Sequence, residues 1–228
     1  MRAMILAAGR GERMRPLTDT TPKPLLEVAG MPLIGWQLQR LSAAGVETVV
    51  INTAWLGEQI ETAVGDGRAW GVRVHYSREP EGALDTGGGI RQALPLLGDS
   101  PFWVVNGDVW SDYPLQRLPR SLSVAAHLVL VDNPAHNPDG DFALDGQGRV
   151  TTGSGQRLTF AGIGAFHPRL WRGCRRGCFP LAPLLRSAAQ RGELTGTYWP
   201  GIWSDIGTPE RLEQLRRQVL AEAGPAPE

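Results

Sequence analysis

The sequence predicts an α/β protein whose open, doubly wound, mostly parallel sheet forms a single domain. Runs rich in apolar and β-branched residues alternate with amphipathic helical patterns over the first half of the chain. A loop rich in glycine and arginine follows the first apolar run, at the kind of strand end where open α/β sheets bind ligands. The 228 residues suffice for one large core, and no linker-like segment or internal repeat divides them.

The first half of the chain carries the parallel part of the predicted sheet. We predict five strands, at 3–7, 48–52, 72–76, 102–106 and 126–131. We predict three helices, at 32–44, 56–64 and 88–97, the first ended by Gly45 and the last containing Pro95. Each helix connects two of the first four strands, so these strands should be parallel and joined by right-handed crossovers.

The second half of the chain has shorter elements and more turns. Residues 132–142 are rich in turn formers, and a strand is predicted at 158–166. A helix is predicted near 180–190, and the short segment YWPGIW follows at 198–203. A last helix is predicted to begin at Pro209, because proline suits the first helical position.

Charge and cysteine usage exclude several classes of function. Lys+Arg and Asp+Glu both number 23, so no overall field draws the protein to nucleic acid or to a membrane surface. The N-terminus enters a strand-like pattern at once, so we expect no signal peptide, and no run approaches the roughly 18 apolar residues of a membrane span. Cys174 and Cys178 cannot complete a four-ligand zinc site and are expected to be free thiols. We therefore expect a cytoplasmic monomer or small homo-oligomer with no nucleic-acid or membrane partner.

The loop after the first strand reads GRGERMRPLT and is predicted to hold a polyphosphate. Met14 stands where the dinucleotide fingerprint needs its third glycine, and no Walker-type phosphate loop is present. Gly9 and Gly11 still let backbone N–H groups approach an anion closely, and Arg13 and Arg15 supply the delocalised positive charge that a polyphosphate needs. Lys23, between two prolines that stiffen the backbone, adds a fourth cation beside Arg10.

Five motifs in a fixed order resemble the signature of the sugar-1-phosphate nucleotidylyltransferases. They are LAAGRGERMRPLT with a following PKP, LDTGGGI, NGD, GIGAFHP and WSDIGTPERL, at residues 6–24, 84–90, 106–108, 162–168 and 203–212. The resemblance covers nearly the whole chain. It implies the Rossmann-like nucleotide-diphospho-sugar transferase fold, a nucleoside triphosphate and a sugar 1-phosphate as substrates, and Mg²⁺ as the cofactor.

The resemblance implies that the loop after the first strand binds the triphosphate and that Arg13 and Lys23 are catalytic. The segment at Asp85 and Thr86 would read the base. The implied nucleotide-binding residues are Ala8, Gly9, Gly11, Glu12, Arg13, Lys23, Asp85 and Thr86. Elementary chemistry agrees with these roles, because joining a sugar phosphate to a nucleotide brings two polyanions together and mainly requires positioning and charge neutralisation.

Four further polar residues are expected to hold the metal and the sugar. The resemblance implies that Asp108 and Asp205 bind Mg²⁺, which needs only one or two carboxylates beside substrate phosphates. Asn106, at the same strand end as Asp108, is placed to form a hydrogen bond with a sugar hydroxyl or amide. Asp141 follows the turn-rich loop, where relatives of this fold contact the sugar.

Within this family, five segments of the chain are similar in sequence to the uridylyltransferases of bacterial cell-wall recycling that act on N-acetylmuramic acid 1-phosphate. The segments concerned are GRGERMRPLT, NTAWLGEQI, LDTGGGI, VNGDVW and VDNPAHN with a following GDF. The similarity implies UTP as the triphosphate and UDP-N-acetylmuramic acid as the product.

The chain also departs from the family pattern. Glu12 replaces a small hydroxyl residue and is expected to turn away or to pair with a neighbouring arginine. The usual Glu-Lys-Pro element is missing, and only Arg157 offers a cation there. The chain stops one helix after Asp205, so we expect no left-handed β-helix and no second activity. Trp110 and Trp203 neighbour the two metal-binding aspartates and are candidates for lining the sugar site.

These assignments divide the domain, 1–223, into three parts. Residues 1–131 form the nucleotide-binding part, 132–208 the sugar-binding part and 209–223 the C-terminal helix. The tail at 224–228 is expected to be frayed.

Three alternatives remain open at this point. The enzyme could use mannose, glucose or N-acetylglucosamine 1-phosphate, with GTP or another triphosphate, because sugar choice depends on a few hydrogen bonds. The fold could serve a non-catalytic nucleotide-sugar sensor, although a sensor would tolerate the loss of a metal ligand. A nicotinamide-dependent oxidoreductase is disfavoured by Met14 and by Asn52, since that class needs a glycine and an acidic residue there.

Overall fold

The computed structural model describes residues 1–80, 83–153 and 155–223. The predicted tail at 224–228 lies outside the described residues. The strands are β1 Arg2–Leu6, β2 Glu27–Val28, β3 Met31–Pro32, β4 Thr48–Thr53, β5 Arg73–Arg78, β6 Phe102–Asn106, β7 Val109–Ser111, β8 Ala126–Val131, β9 Phe142–Leu144, β10 Val150–Thr151, β11 Arg157–Phe166, β12 Leu194–Tyr198 and β13 Trp203–Asp205. The α-helices are α1 Leu33–Ala43, α2 Gly57–Val64, α3 Asp85–Leu97, α4 Ala182–Gln190 and α5 Pro209–Ala223.

The central sheet confirms the predicted α/β architecture. Among the described residues it has nine strands, along the path β10-β9-β11-β6-β1-β4-β5, with β8 paired to β11 and β12. Strands β6, β1, β4 and β5 are mutually parallel, as the alternation with helices predicts. The second half of the chain extends this sheet mainly with antiparallel pairs, in which β11 joins β6, β8 and β9.

Helices cover both faces of the sheet, because successive residues of a strand point to opposite sides. In β1, Ile5 belongs to a buried cluster that includes residues of α1 and α2. Its neighbour Met4 belongs to the opposite cluster, with residues of α3 and α4. The sheet is therefore doubly wound, and its strand ends are held between two packed layers.

A third buried cluster attaches the last helix to the loop after β1. Met14, from that loop, packs in it with Ile206 and Leu212, and all three are fully buried. Val28 of the small β2–β3 hairpin joins the same cluster. This packing holds the segment around Asp205 against the glycine- and arginine-rich loop.

Most predicted elements lie within a few residues of the observed ones, but one prediction was wrong in detail. Helix α3 begins at Asp85 rather than at Gly88. The glycines at 87–89, which pack closely against other segments, gave this first turn no helical pattern of apolar residues. The segment at 198–203 contains the end of β12, the connecting residues 199–202 and the first residue of β13. In the described part of the chain, no helix is long and apolar enough to cross a membrane.

Candidate active site

A cavity of about 490 Å³ opens at the carboxyl ends of the parallel strands. Leu6, the last residue of β1, pairs with Asn52 on one side and Asn106 on the other, so three strand ends are level there. The predicted nucleotide-binding residues that line the cavity are Ala8, Gly9, Gly11, Glu12, Arg13, Lys23, Asp85 and Thr86. Asn106 and Asp108 line it as well, and the structure thus brings together side chains from widely separated motifs.

The loop after β1 is tightly packed at Gly11 and open toward the cavity at Gly9. Gly11 has a φ of 65° and accepts a hydrogen bond from Thr18 Oγ1 at 2.8 Å, and an added Cβ would lie 2.9 Å from Thr18 Cγ2. Glycine is therefore required at this position. By contrast, a Cβ at Gly9 would meet no described atom within 4 Å, so Gly9 leaves open space at the cavity wall where a ligand can approach the backbone.

The structure separates the arginines of this loop. Arg13 lines the cavity, and no hydrogen bond or ion pair joins its side chain to another described residue. Arg10 also lines the cavity, with its guanidinium carbon 5.0 Å from the ring centre of Trp55. Arg15 lies outside the lining and pairs with Asp19 at 3.2 Å on the surface, so the structure does not bring it to the expected phosphate site. Glu12 is exposed and forms no ion pair with the described residues, so of its two expected alternatives the pairing with an arginine is not the one observed.

Lys23 and Asp108 meet inside the cavity. Lys23 Nζ donates to Asp108 Oδ2 at 2.6 Å, and the two side chains are 13% and 28% exposed. Lys23 opens a short 3₁₀ helix, Lys23–Leu25, while Asp108 follows β6. The lysine that was expected to contact phosphate and the aspartate that was expected to bind metal therefore form an ion pair with each other.

Asp205 lies next to Asp108 through the pairing of β13 with β7. Ile206 N donates to the carbonyl oxygen of Asp108 at 2.8 Å. Arg211 Nη1 donates to both carboxylate oxygens of Asp205, at 2.8 and 2.9 Å. His136 Nε2 lies 3.2 Å from Asp205 Oδ1, and its Nδ1 lies 2.8 Å from Arg211 Nη2. A guanidinium can only donate, so Nδ1 accepts and the Nε2 proton faces Asp205.

The two aspartates suit a cation that arrives with a substrate. No group of three or more potential protein ligands occurs among the described residues. Mg²⁺ usually takes one or two carboxylates together with phosphate oxygens and waters, rather than a site made only of protein. Asp108 lines the cavity and Asp205 lies outside its lining, so the two carboxylates would share such a cation only at the edge of the cavity. Lys23 and Arg211 partly neutralise the two carboxylates.

A buried amide connects the walls of the cavity. Asn52 Oδ1 accepts from Ala7 N at 2.8 Å, and Asn52 Nδ2 donates to Glu79 Oε1 at 2.7 Å. Glu79 Oε2 accepts from Leu84 N at 2.7 Å. The strand end that carries the phosphate loop is thereby joined to the start of α3. Sequence reasoning missed this function of Asn52 and Glu79, since nothing local indicates that they meet.

The start of α3 is held by the segment that leads into α4. Asp85 has a φ of 57°, and its Oδ1 accepts from Thr86 N at 2.5 Å. Thr86 Oγ1 accepts from Leu181 N at 3.0 Å. Phe179 N donates to Leu84 O at 3.1 Å, so the region expected to read the base is fixed from both sides.

A second cavity of about 180 Å³ lies beside the first and shares Asn106 with it. Asp141 lines the second cavity, where its Oδ2 accepts from Phe160 N at 2.9 Å. Arg157 donates to the carbonyl oxygens of Gly140 and Asp141, so it supports the turn and its guanidinium is engaged with backbone. The two predicted sugar-binding residues are thus brought to one small cavity.

The two tryptophan candidates for the sugar site lie elsewhere, and that expectation was wrong. Trp110 packs edge-on against Trp36, with ring centres 5.2 Å apart. Trp203 Nε1 donates to Ala161 O at 2.9 Å. Neither residue lines either cavity, because both indole rings are used in packing between elements.

Fold and site together define a nucleotide-binding α/β protein with a transferase-like phosphate site. The chain belongs to the family described as Nucleotidyl transferase, which matches residues 2–152. It is 54% identical to the N-acetylmuramate alpha-1-phosphate uridylyltransferase of Neisseria meningitidis, over 98% of this chain and 99% of that protein. The protein of the same name from Caulobacter vibrioides is 35% identical, over 97% of each chain. A mannose-1-phosphate guanylyltransferase of Mycobacterium tuberculosis is 41% identical over 51% of this chain and 32% of its own length.

Solved structures share the fold at low sequence identity. A protein described as a glucose-1-phosphate thymidylyltransferase from Bacillus anthracis superposes with a TM-score of 0.82 at 20% identity, over 96% of this chain and 95% of its own. HddC from Yersinia pseudotuberculosis, in its complex with GMP-PN, gives a TM-score of 0.77 at 19% identity, over 96% and 99%. These likenesses extend the family fold over nearly the whole chain.

Proposed function

We propose that this protein transfers UMP from UTP to N-acetylmuramic acid 1-phosphate, forming UDP-N-acetylmuramic acid and pyrophosphate for peptidoglycan recycling. The observation that carries this proposal is the near-complete alignment with two N-acetylmuramate alpha-1-phosphate uridylyltransferases. The mannose-1-phosphate guanylyltransferase aligns over only half of this chain, so it supports the shared nucleotide chemistry more than a choice of sugar.

In the proposed reaction, the triphosphate binds in the larger cavity and the sugar binds in the smaller one. An oxygen of the sugar 1-phosphate attacks the α-phosphorus of UTP, and the bond from that phosphorus to the β-phosphate oxygen breaks. Pyrophosphate leaves with the electron pair of that bond. No proton transfer is required, so positioning supplies much of the rate, and effective molarity alone is worth roughly 7–11 kcal/mol.

Arg13 and Lys23 neutralise charge that grows on the phosphates in the transition state. Arg13 has no charged partner among the described residues, which leaves its guanidinium available to phosphate. A Cβ at Gly207 would lie 3.2 Å from both Arg13 Nη2 and Asp205 Oδ2, so the guanidinium comes close to the expected metal-binding carboxylate. Fixed donors aimed at developing charge stabilise a transition state more than a ground state.

Asp108 and Asp205 would hold Mg²⁺, which when bound neutralises phosphate charge and makes the α-phosphorus more electrophilic. Before the substrates bind, Lys23 and Arg211 occupy these carboxylates. Lys23 then exchanges its carboxylate for a phosphate, while Arg211 and His136 keep Asp205 oriented. We place the reaction in the cytoplasm, where nucleoside triphosphates are available.

Product analysis tests the proposal. The purified chain is incubated with UTP, N-acetylmuramic acid 1-phosphate and Mg²⁺, and the nucleotides are separated and identified by mass. We expect UDP-N-acetylmuramic acid together with an equal amount of pyrophosphate. Absence of that product from a folded protein that binds UTP would contradict the proposal and favour the non-catalytic sensor.

A further inference from the structure

The second cavity has a mixed chemical character. Most of its wall is apolar, with Phe142 and Leu185 among the contributors. Its polar residues include Asn106, Asp141 and Arg186. It has a volume of about 180 Å³ and adjoins the larger cavity, with which it shares Asn106.

Arg186 is an exposed residue of α4 that brings a positive charge to the lining of this cavity. No hydrogen bond, ion pair or ring contact joins its side chain to another described residue. Arg191, directly after the same helix, instead pairs on the surface with Glu193 at 2.8 Å and donates to Ser187 Oγ at 2.7 Å. Arg191 therefore has partners among the described residues, whereas the guanidinium of Arg186 is open to solvent and to a ligand.

Asp141 does not neutralise Arg186, although both line the cavity. Instead, the carboxylate of Asp141 accepts a hydrogen bond from the backbone N–H of Phe160. The cavity thus offers an acceptor for a sugar hydroxyl or amide at Asp141 and, separately, a cation at Arg186. A ligand that fits it carries a donor, an apolar surface and an anionic group.

A sugar with a lactyl ether meets these requirements. N-acetylmuramic acid differs from N-acetylglucosamine by this group at O3, which consists of a methyl-bearing carbon and a carboxylate. The methyl group suits the apolar wall, and a guanidinium pairs with a carboxylate through two parallel hydrogen bonds. We propose that Arg186 binds the lactyl carboxylate and is the residue that selects N-acetylmuramic acid 1-phosphate over sugar phosphates without a carboxylate. This inference rests on the proposed function.

Four proteins test it: the wild type, Arg186→Gln, Arg186→Lys and the control Arg191→Gln, which directly follows the same helix and lies outside the cavity. The value of kcat/KM is measured with UTP and either N-acetylmuramic acid 1-phosphate or N-acetylglucosamine 1-phosphate. We expect Arg186→Gln to lower the ratio of the two values, muramic over glucosamine, by about 10- to 100-fold, mostly through KM for the muramic substrate. Arg186→Lys keeps the charge but not the planar fork, and should retain an intermediate ratio.

The outcomes separate this inference from the proposed function. An unchanged ratio in Arg186→Gln, or an equal loss with both sugars, would overturn the assignment of Arg186 while leaving the reaction in place. A wild type that forms no product from the muramic substrate would instead refute the proposed function, and the inference with it. The control variant and KM for UTP should keep their wild-type values, since Arg186 does not line the larger cavity.

Discussion

Lys23 Nζ lies 2.6 Å from Asp108 Oδ2, and this contact joins two motifs that are 85 residues apart in the sequence. The lysine belongs to the segment after the phosphate loop, and the aspartate follows β6. Both charges are partly buried, so each stabilises the other at a site that would otherwise hold an uncompensated charge. The proposed reaction would exchange this contact for one between Lys23 and a substrate phosphate, which would leave Asp108 free to hold Mg²⁺.

Replacing Asp108 should abolish most turnover without unfolding the protein. Asp108→Asn keeps the size of the side chain but removes the charge that would hold Mg²⁺, and we expect kcat to fall at least about 100-fold. Asp112→Asn is the matched control, because Asp112 is exposed, lies outside the cavity and contacts Trp199 Nε1 at 2.6 Å. Steady-state rates at saturating Mg²⁺ provide the measurement, and near-normal kcat in Asp108→Asn would remove Asp108 from the metal site.

Arg13 should matter more for kcat than for KM. If its guanidinium acts mainly on charge that develops in the transition state, Arg13→Ala lowers kcat by roughly 100-fold with a smaller change in KM for UTP. Arg15→Ala serves as the control, since Arg15 forms a surface ion pair with Asp19 outside the cavity. A change confined to KM in Arg13→Ala would assign the residue to ground-state binding only.

Replacing Glu79 should lower the free energy of unfolding and also raise KM for UTP. Both carboxylate oxygens of Glu79 accept hydrogen bonds, one from Asn52 Nδ2 and one from Leu84 N. In Glu79→Gln, the new side-chain NH₂ group must therefore face one of these two N–H donors. We expect a loss of about 1–3 kcal/mol in unfolding free energy and a higher KM for UTP, because the bridge between the phosphate loop and α3 loosens. Denaturant unfolding and UTP kinetics measure the two effects.

Glu47→Gln is the control for this experiment, since the side chain of Glu47 is exposed and, among the described residues, pairs only with the terminal amine of Met1, at 3.4 Å. A Glu79→Gln protein with wild-type stability and wild-type KM would show that the bridge does not position the loop.

His127 should make the protein less stable below neutral pH. Burial lowers the pKa of His127 from 6.5, and its ring nitrogens contact Thr195 and Thr197 at 2.9 and 3.0 Å. Below pH 6.5 the unfolded state therefore binds a proton that the folded state does not, and unfolding free energy falls until the pH reaches the lower folded pKa. His127→Gln should lose this part of the pH dependence.

Urea unfolding at about pH 7.5 and pH 5.5 measures the effect across the ordinary pKa of histidine. The exposed His75 provides the control variant His75→Gln, which should follow the wild type. If His127→Gln loses as much stability on acidification as the wild type, the buried ring does not titrate as the structure indicates.

Sequence patterns predicted the elements that are continuous apolar runs or that carry a clear start signal. Strands β6 and β8 lie where apolar, β-rich runs place them, and α5 begins where the Thr-Pro start signal places it. Strand β12 escaped prediction because threonine, glycine and tyrosine dominate it, and Gly196 is present since a Cβ there would lie 2.7 Å from Val150 Cγ2. Such close contacts between segments that are distant in the sequence cannot be predicted from the neighbouring residues.

The same limit applies to the site. Residues inside a motif, such as Gly11 and Lys23, could be predicted because their neighbours in the sequence indicate phosphate chemistry. His136 and Arg186 could not, because each depends on a contact or a cavity that the tertiary fold creates. Arg211 lies in the last motif, but its two hydrogen bonds to Asp205 require the turn between β13 and α5.

The central claim is best tested by pyrophosphate release with Mg²⁺ across four nucleoside triphosphates and four sugars: the 1-phosphates of N-acetylmuramic acid, N-acetylglucosamine, glucose and mannose. We expect one dominant combination, UTP with N-acetylmuramic acid 1-phosphate. A dominant signal for another pair would keep the transferase mechanism and contradict the proposed substrates. Silence across the whole grid, from a folded protein that binds UTP, would contradict catalysis itself.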